Sequence, residues 1–118
     1  MIEELVAQVF AARNAAHREH WATKSYAKHQ ALGAFYDGLP DLIDGIVESY
    51  QGQKGLIELD GQFVTPSVQD CCDFLVKQRE WIGKHRDEIA AGCTDVANQI
   101  DTLLGLYNAT IYKLENLE

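Results

Sequence analysis

Apolar residues recur along this chain in four runs with the spacing of amphipathic helices. Ile2, Leu5, Val9, Ala12 and Ala16 follow one another at steps of three and four, with Val6 and Phe10 flanking them. That is one stripe of a helix, predicted over about 2–22. The run is rich in alanine and holds neither Gly nor Pro, so intrinsic propensity agrees with the pattern. Thr23 to Ser25 is the expected turn. A second helix is predicted over about 24–51, with Ala27, Ala31, Leu32, Phe35, Leu39, Leu42, Ile43, Ile46 and Val47 on its apolar side. Gly38 and Pro40 interrupt it. Proline removes one backbone donor and crowds the carbonyl four residues back, so a kink near Tyr36 to Pro40 is expected rather than a break. Gly52 is the expected C-cap.

A third helix is predicted over about 67–91. Ser67 is its expected N-cap, after Pro66 and with Asp70 in the first turn. Its apolar positions are Val68, Cys71, Leu75, Ile82 and Ile89, with Trp81 alongside, and Gly92 closes it. The fourth, about 94–117 with Thr94 as cap, carries the cleanest stripe: Val96, Ile100, Leu103, Tyr107, Ile111 and Leu114. Steps of three and four held this long mark a packed seam. Between the second and third helices, the stretch 52–66 changes pattern. Residues 53–66 span ~45 Å if extended, more than the ~40 Å of the preceding helix. The chain can therefore return along the bundle and start the third helix parallel to the second. Such crossovers separate ferritin-like bundles from simple up-down-up-down ones. The expectation is one all-α domain over 1–118, a ferritin-like four-helix bundle with a long crossover between helices 2 and 3.

Charge narrows the function classes. Ten Lys and Arg stand against eighteen Asp and Glu, a formal net charge of −8. A nucleic-acid-binding surface needs clustered cations to displace phosphate counterions, so this balance argues against one. No apolar run approaches the ~20 residues of a membrane span, and no signal-peptide pattern opens the chain, so a cytoplasmic protein is expected. Cys71 and Cys72 are adjacent, and neighbours on a helix point about 100° apart, a poor disulfide. With Cys93 they are expected to be reduced and packed as small hydrophobes.

The candidate chemistry lies between His17 and Glu48. That stretch holds three of the four histidines (His17, His20 and His29) and two carboxylates one helical turn apart, Asp44 and Glu48. Imidazole and carboxylate are ligands for iron, zinc and manganese. His29 and Asp44 are fifteen residues apart, or ~22 Å along one helix, so they cannot share an ion within a chain. His20 and His29 flank the first turn, and an antiparallel hairpin brings them level. Two copies related by a two-fold axis, hairpins antiparallel, would set the histidines of one against the carboxylates of the other. His85, in a charged run, is expected to face solvent; Trp21 and Trp81 are expected to be core or interface anchors. No Gly-x-Ser-x-Gly, phosphate-binding loop, His-Glu-x-x-His or Glu-x-x-His motif competes.

The run His20-Trp21, then His29, then Asp44-x-x-x-Glu48 resembles the ferroxidase signature of the Dps family of small ferritins. The interval from His29 to Glu48 looks the same as in that family, and the fourth helix is similar in pattern. The resemblance implies a homo-oligomer, at least a dimer, that binds iron across a two-fold interface and oxidises Fe(II) with peroxide or dioxygen. His20 and His29 would come from one subunit and Asp44 and Glu48 from the other. The chain departs from the family in a shorter interval from His20 to His29, in the absence of a basic N-terminal tail, and in Gly33, which stands where the family carries a further carboxylate. His17 is the candidate substitute ligand. The alternative is a non-catalytic helical interaction protein on a ferritin-like scaffold that has lost the metal centre.

Overall fold

The computed structural model describes residues 1–59 and 67–118, and the part of the expected crossover from 60 to 66 lies outside them. Four helices form: α1 (Ile2–Ala22), α2 (Tyr26–Lys54), α3 (Cys71–Ala90) and α4 (Thr94–Asn116). Every stripe position of α1 and α4 is buried, and the flanking Phe10 on α1 is partly buried. Hydrophobic periodicity placed the buried faces because each helix has only one neighbour-facing stripe to hide.

Side-chain contacts fix the arrangement. His20 on α1 lies beside His29 on α2, at the turn that joins them. Gln78 on α3 donates to the Gln8 carbonyl on α1, and Glu19 near the end of α1 lines a recess with Cys71 at the start of α3. α1 is thus antiparallel to both α2 and α3, which makes α2 and α3 parallel. α4 runs antiparallel to α2, with Gln53 against Asp95 and Gln99 against Ser49. It also runs antiparallel to α3, through the two-point Arg86–Asp101 pair. The helices pack in the ring α1–α2–α4–α3. This is an all-α four-helix bundle with a long crossover between parallel α2 and α3.

Helix ends shift from the sequence expectation where two residues compete for one role. α3 begins at Cys71 because Asp70, not Ser67, is its N-cap, accepting from the Asp73 amide at 3.1 Å. α2 runs through Gly52 to end at Gly55, whose φ of 92° is open to glycine at no steric cost. Cys93 rather than Thr94 is the N-cap of α4, after a left-handed reversal at Ala91 and Gly92. α2 stays continuous across Pro40.

One polar triad sits inside this apolar core. The buried Tyr107 hydroxyl donates to Gln78 Oε1 at 2.7 Å, and Gln78 Nε2 donates to the Gln8 carbonyl at 2.9 Å. Gln78 fills the gap that the α3 stripe left between Leu75 and Ile82, so the chain satisfies a buried amide there instead of burying a hydrocarbon. Phe35 packs edge-on against the Tyr107 ring at 5.1 Å. Cys71 is packed beside this layer; burial, with Glu19 nearby, pushes its thiol up to about 12 and keeps it an inert packing group.

Candidate functional site

The turn end of the α1–α2 hairpin holds the densest group of polar aromatic side chains. The reversal is tight because α1 stops at Ala22 and Ser25 caps α2, its hydroxyl accepting from the Lys28 amide. Two residues of α1 and α2 then meet as a clasp. His20 Nδ1 lies 2.6 Å from the His29 carbonyl, and His29 Nδ1 lies 2.7 Å from the His20 carbonyl. A carbonyl only accepts, so both Nδ1 atoms carry the proton and donate. The two imidazoles stack at 3.6 Å between centroids, 16° from parallel.

Gly33 makes room for this clasp. A Cβ there would meet His20 Cε1 at 3.1 Å and Nδ1 at 3.3 Å, so the ring lies almost on the α2 backbone. The missing side chain at Gly33 is what leaves space for the His20 imidazole against α2. One turn earlier on α1, His17 stacks on Tyr36 at 4.1 Å and packs against Trp21 at 4.3 Å. Trp21 and Tyr26 nevertheless remain 70% and 73% exposed.

The five expected metal ligands are thus split between two places. His17, His20 and His29 gather at the turn. Asp44 and Glu48 are exposed on α2 toward the open end of the hairpin, ~22 Å away along the helix. There they rim a groove of about 370 Å³ lined by Val6, Phe10, Ile43, Val47 and Leu59. Among the described residues, no three His, Cys, Asp or Glu side chains converge as a metal site within the chain.

The clasp also limits what the histidines can do together. An ion bound ~2.0–2.1 Å from an imidazole nitrogen lies near the plane of that ring. Planes only 16° apart and stacked at 3.6 Å converge on the order of 10 Å away, far outside that reach. His20 and His29 as placed cannot chelate one ion. In the neutral form of each imidazole, the Nδ1 proton held by a backbone carbonyl leaves Nε2 as the acceptor, the same outer contact that orients metal-bound histidines.

Tyr36 was not singled out from sequence as part of this site, and Gly33 was singled out only for a missing carboxylate. The signal for Tyr36 was present but weak: with Gly33 and His29 it shares the α1-facing side of α2, at steps of three and four. His85, expected to face solvent, is half-buried instead. Its Nδ1 donates to the Trp81 carbonyl one turn back at 2.8 Å, and the ring packs on Trp81 at 4.6 Å. A charged sequence neighbourhood does not expose a side chain that finds an aromatic face on its own helix. Among the described residues, no helix is long and apolar enough to cross a membrane.

Comparison with known proteins places this site inside a shared region. The chain is 28% identical over 116 residues, 95% of its length and 86% of the relative's, to a protein of Enterobacteria phage T4 described as "Uncharacterized 14.6 kDa protein in mobD-ri intergenic region". No solved structure matches. A family model described as "Family of unknown function (DUF5856)" matches residues 20–114, from the clasp histidine to the end of the α4 stripe. The chain belongs to this family.

Proposed function

We propose that the chain is a helical interaction module on a ferritin-like scaffold, working as a homodimer or larger homo-oligomer through its α1–α2 face. The observation that carries this reading is the pairing of features on one helix pair. Exposed Trp21 and Tyr26 sit at one end, and at the other, among the described residues, Val6, Ile43, Val47 and Leu59 line a groove rimmed by Asp44 and Glu48. Exposed aromatic side chains beside polar groups are the usual anchors of protein interfaces. The centre of the bundle, where single-chain di-iron proteins place their ligands, is filled here by Tyr107, Phe35 and Gln78. Light scattering across a concentration series tests the reading. A mass of at least twice 13.2 kDa is expected; a chain that stays monomeric to millimolar concentration would rule it out.

A second reading is favoured by one observation, the carbonyl-locked Nδ1 protons that leave Nε2 of His20 and His29 as acceptors. In an antiparallel two-fold pair, one such imidazole of the first copy and Asp44 and Glu48 of the second supply a nitrogen and two carboxylates to a divalent transition metal, iron by the resemblance to Dps. The two-histidine centre implied by that resemblance does not fit the stacked rings, so this reading stops at binding. Anaerobic titration of the metal-stripped protein with Fe(II), and separately Zn(II), is expected to saturate at two ions or fewer per dimer. Asp44→Asn with Glu48→Gln should abolish the saturation. A folded dimer that binds neither ion would leave the histidines with a structural role alone.

A further inference from the structure

We infer that the reversal between α3 and α4 is an exchange hinge. Straightened, it joins the two into one helix, and α4 of each copy takes the place of α4 in the bundle of a second copy. This goes beyond the surface association proposed above and needs none of the α1–α2 face.

Local chemistry makes this reversal a poor turn and an acceptable stretch of helix. Only Ala91, Gly92 and Cys93 connect α3 to α4. Ala91 sits at φ 51° and ψ 40°, the left-handed region where a Cβ crowds the following carbonyl, and Gly92 follows at φ 84°. Among the described residues, Ala91 is the one non-glycine residue with positive φ. Cys93 then stands at the N-cap of α4 with no side-chain hydrogen bond to the helix, where Ser, Thr, Asp or Asn would supply one. In a continuous helix Ala91 takes its preferred conformation, and the first-turn amides of α4 meet the last-turn carbonyls of α3. Gly92 is the unfavourable residue there, and no proline stands between Cys71 and Asn116.

The buried pattern is already in phase for one helix. Ile82, half-buried His85, Ile89, Cys93, Val96 and Ile100 follow one another at steps of three or four straight through the reversal. A turn does not require this, since two separate helices can carry their stripes in unrelated phases. The α3–α4 contacts also suit exchange. Arg86 pairs with Asp101, Arg79 donates to Asn108, and Gln78 accepts from Tyr107. Each of these pairs is centred between residues 92 and 94. A two-fold axis at that level re-forms all of them between two antiparallel copies, as the exchange of an identical element requires. Each copy then completes the other's core with its own Tyr107.

Substitutions at the hinge push the closed and exchanged forms apart. Gly92→Ala sets a Cβ at φ 84° in the turn and removes glycine from the continuous helix, so the exchanged dimer should gain at least about tenfold over the monomer. Ala91→Gly relieves the turn and weakens the helix, and should lower the same ratio at least about tenfold. Size-exclusion chromatography with light scattering reads both, after incubation at millimolar concentration in urea below the unfolding midpoint and return to buffer. Should Gly92→Ala not fold, Arg86→Asp and Asp101→Arg carry the test. Each alone sets like charges together in the monomer and in its own exchanged dimer, whereas a mixed exchanged dimer restores opposite charges at both contacts. Mixing the two chains should enrich the heterodimer, counted by native mass spectrometry, well above its statistical share. A dimer that the hinge variants leave unchanged and that mixing does not enrich is joined by its surface. That result would overturn the exchange and leave self-association standing. A chain monomeric at every concentration, Gly92→Ala included, would end both.

Discussion

Tyr107→Ala is expected to lower the stability of the bundle by about 3–5 kcal/mol, the range for emptying a fully buried aromatic site. The ring is wholly buried and contacts Phe35 edge-on, so its loss leaves a cavity between α4 and α2. The hydroxyl accounts for part of the effect. Tyr107→Phe keeps the ring but strips Gln78 Oε1 of its donor, and an orphaned buried acceptor costs about 1–3 kcal/mol. Replacing both partners, Tyr107→Phe with Gln78→Leu, should recover much of that, because no polar group then stays unpaired beyond the Gln8 carbonyl, which its own helix already serves. Urea unfolding of the four variants as a cycle measures the coupling. Additive losses would mean that the hydroxyl and the amide do not act as a unit.

The same residue gives a pH dependence of known sign. Burial holds the Tyr107 phenol protonated past its ordinary range. The unfolded chain releases that proton near pH 10, whereas the native chain keeps it. Stability is therefore complete below about pH 10 and falls as pH rises above it. Tyr107→Phe should flatten that alkaline decline.

How much of this was legible in the sequence depends on the length scale. The stripes on α1 and α4 are set by which residues must leave water, so period alone located them. The parallel course of α2 and α3 followed from chain length, since a stretch able to span the helix is what such a reversal requires. Helix ends were read less well. Ser67 and Asp70 can both cap, and Gly52 and Gly55 can both terminate; local propensity does not rank them, but the packing of Cys71 and the positive φ of Gly55 do. The site was legible only in outline. The hairpin argument brought His20 and His29 to one level, yet the clasp depends on two ring orientations and on a missing Cβ. Gly33 was read as a lost carboxylate; its steric consequence could not be read from sequence, because only the His20 ring lying over it shows that.

That reading of the clasp leads to an asymmetry between its two histidines. His29→Ala is expected to cost about 1–3 kcal/mol, and His20→Ala about 1 kcal/mol or less. Each substitution removes one ring from the stack and one hydrogen bond, but the two carbonyls differ. The His20 carbonyl lies in the last turn of α1, where the residue four positions on, Lys24, is beyond the helix; Thr23 serves Glu19 instead. Such end carbonyls need an outside donor, and His29 Nδ1 supplies it. The His29 carbonyl lies in the first turn of α2 and receives the Gly33 amide through the helix itself. Losing His20 leaves it paired. Gly33 provides the internal control. An alanine in the middle of a helix is worth up to ~1 kcal/mol over glycine, but in the native chain its Cβ presses on a ring already held at 2.6 Å by hydrogen bond and at 3.6 Å by stacking. Gly33→Ala should therefore gain little in the native chain and approach the full helix-propensity gain once His20→Ala has removed the ring. Chemical denaturation of the single and double variants reads both comparisons. Equal costs at His20 and His29, or a Gly33→Ala effect indifferent to His20, would show that the two rings do not hold the hairpin in this way.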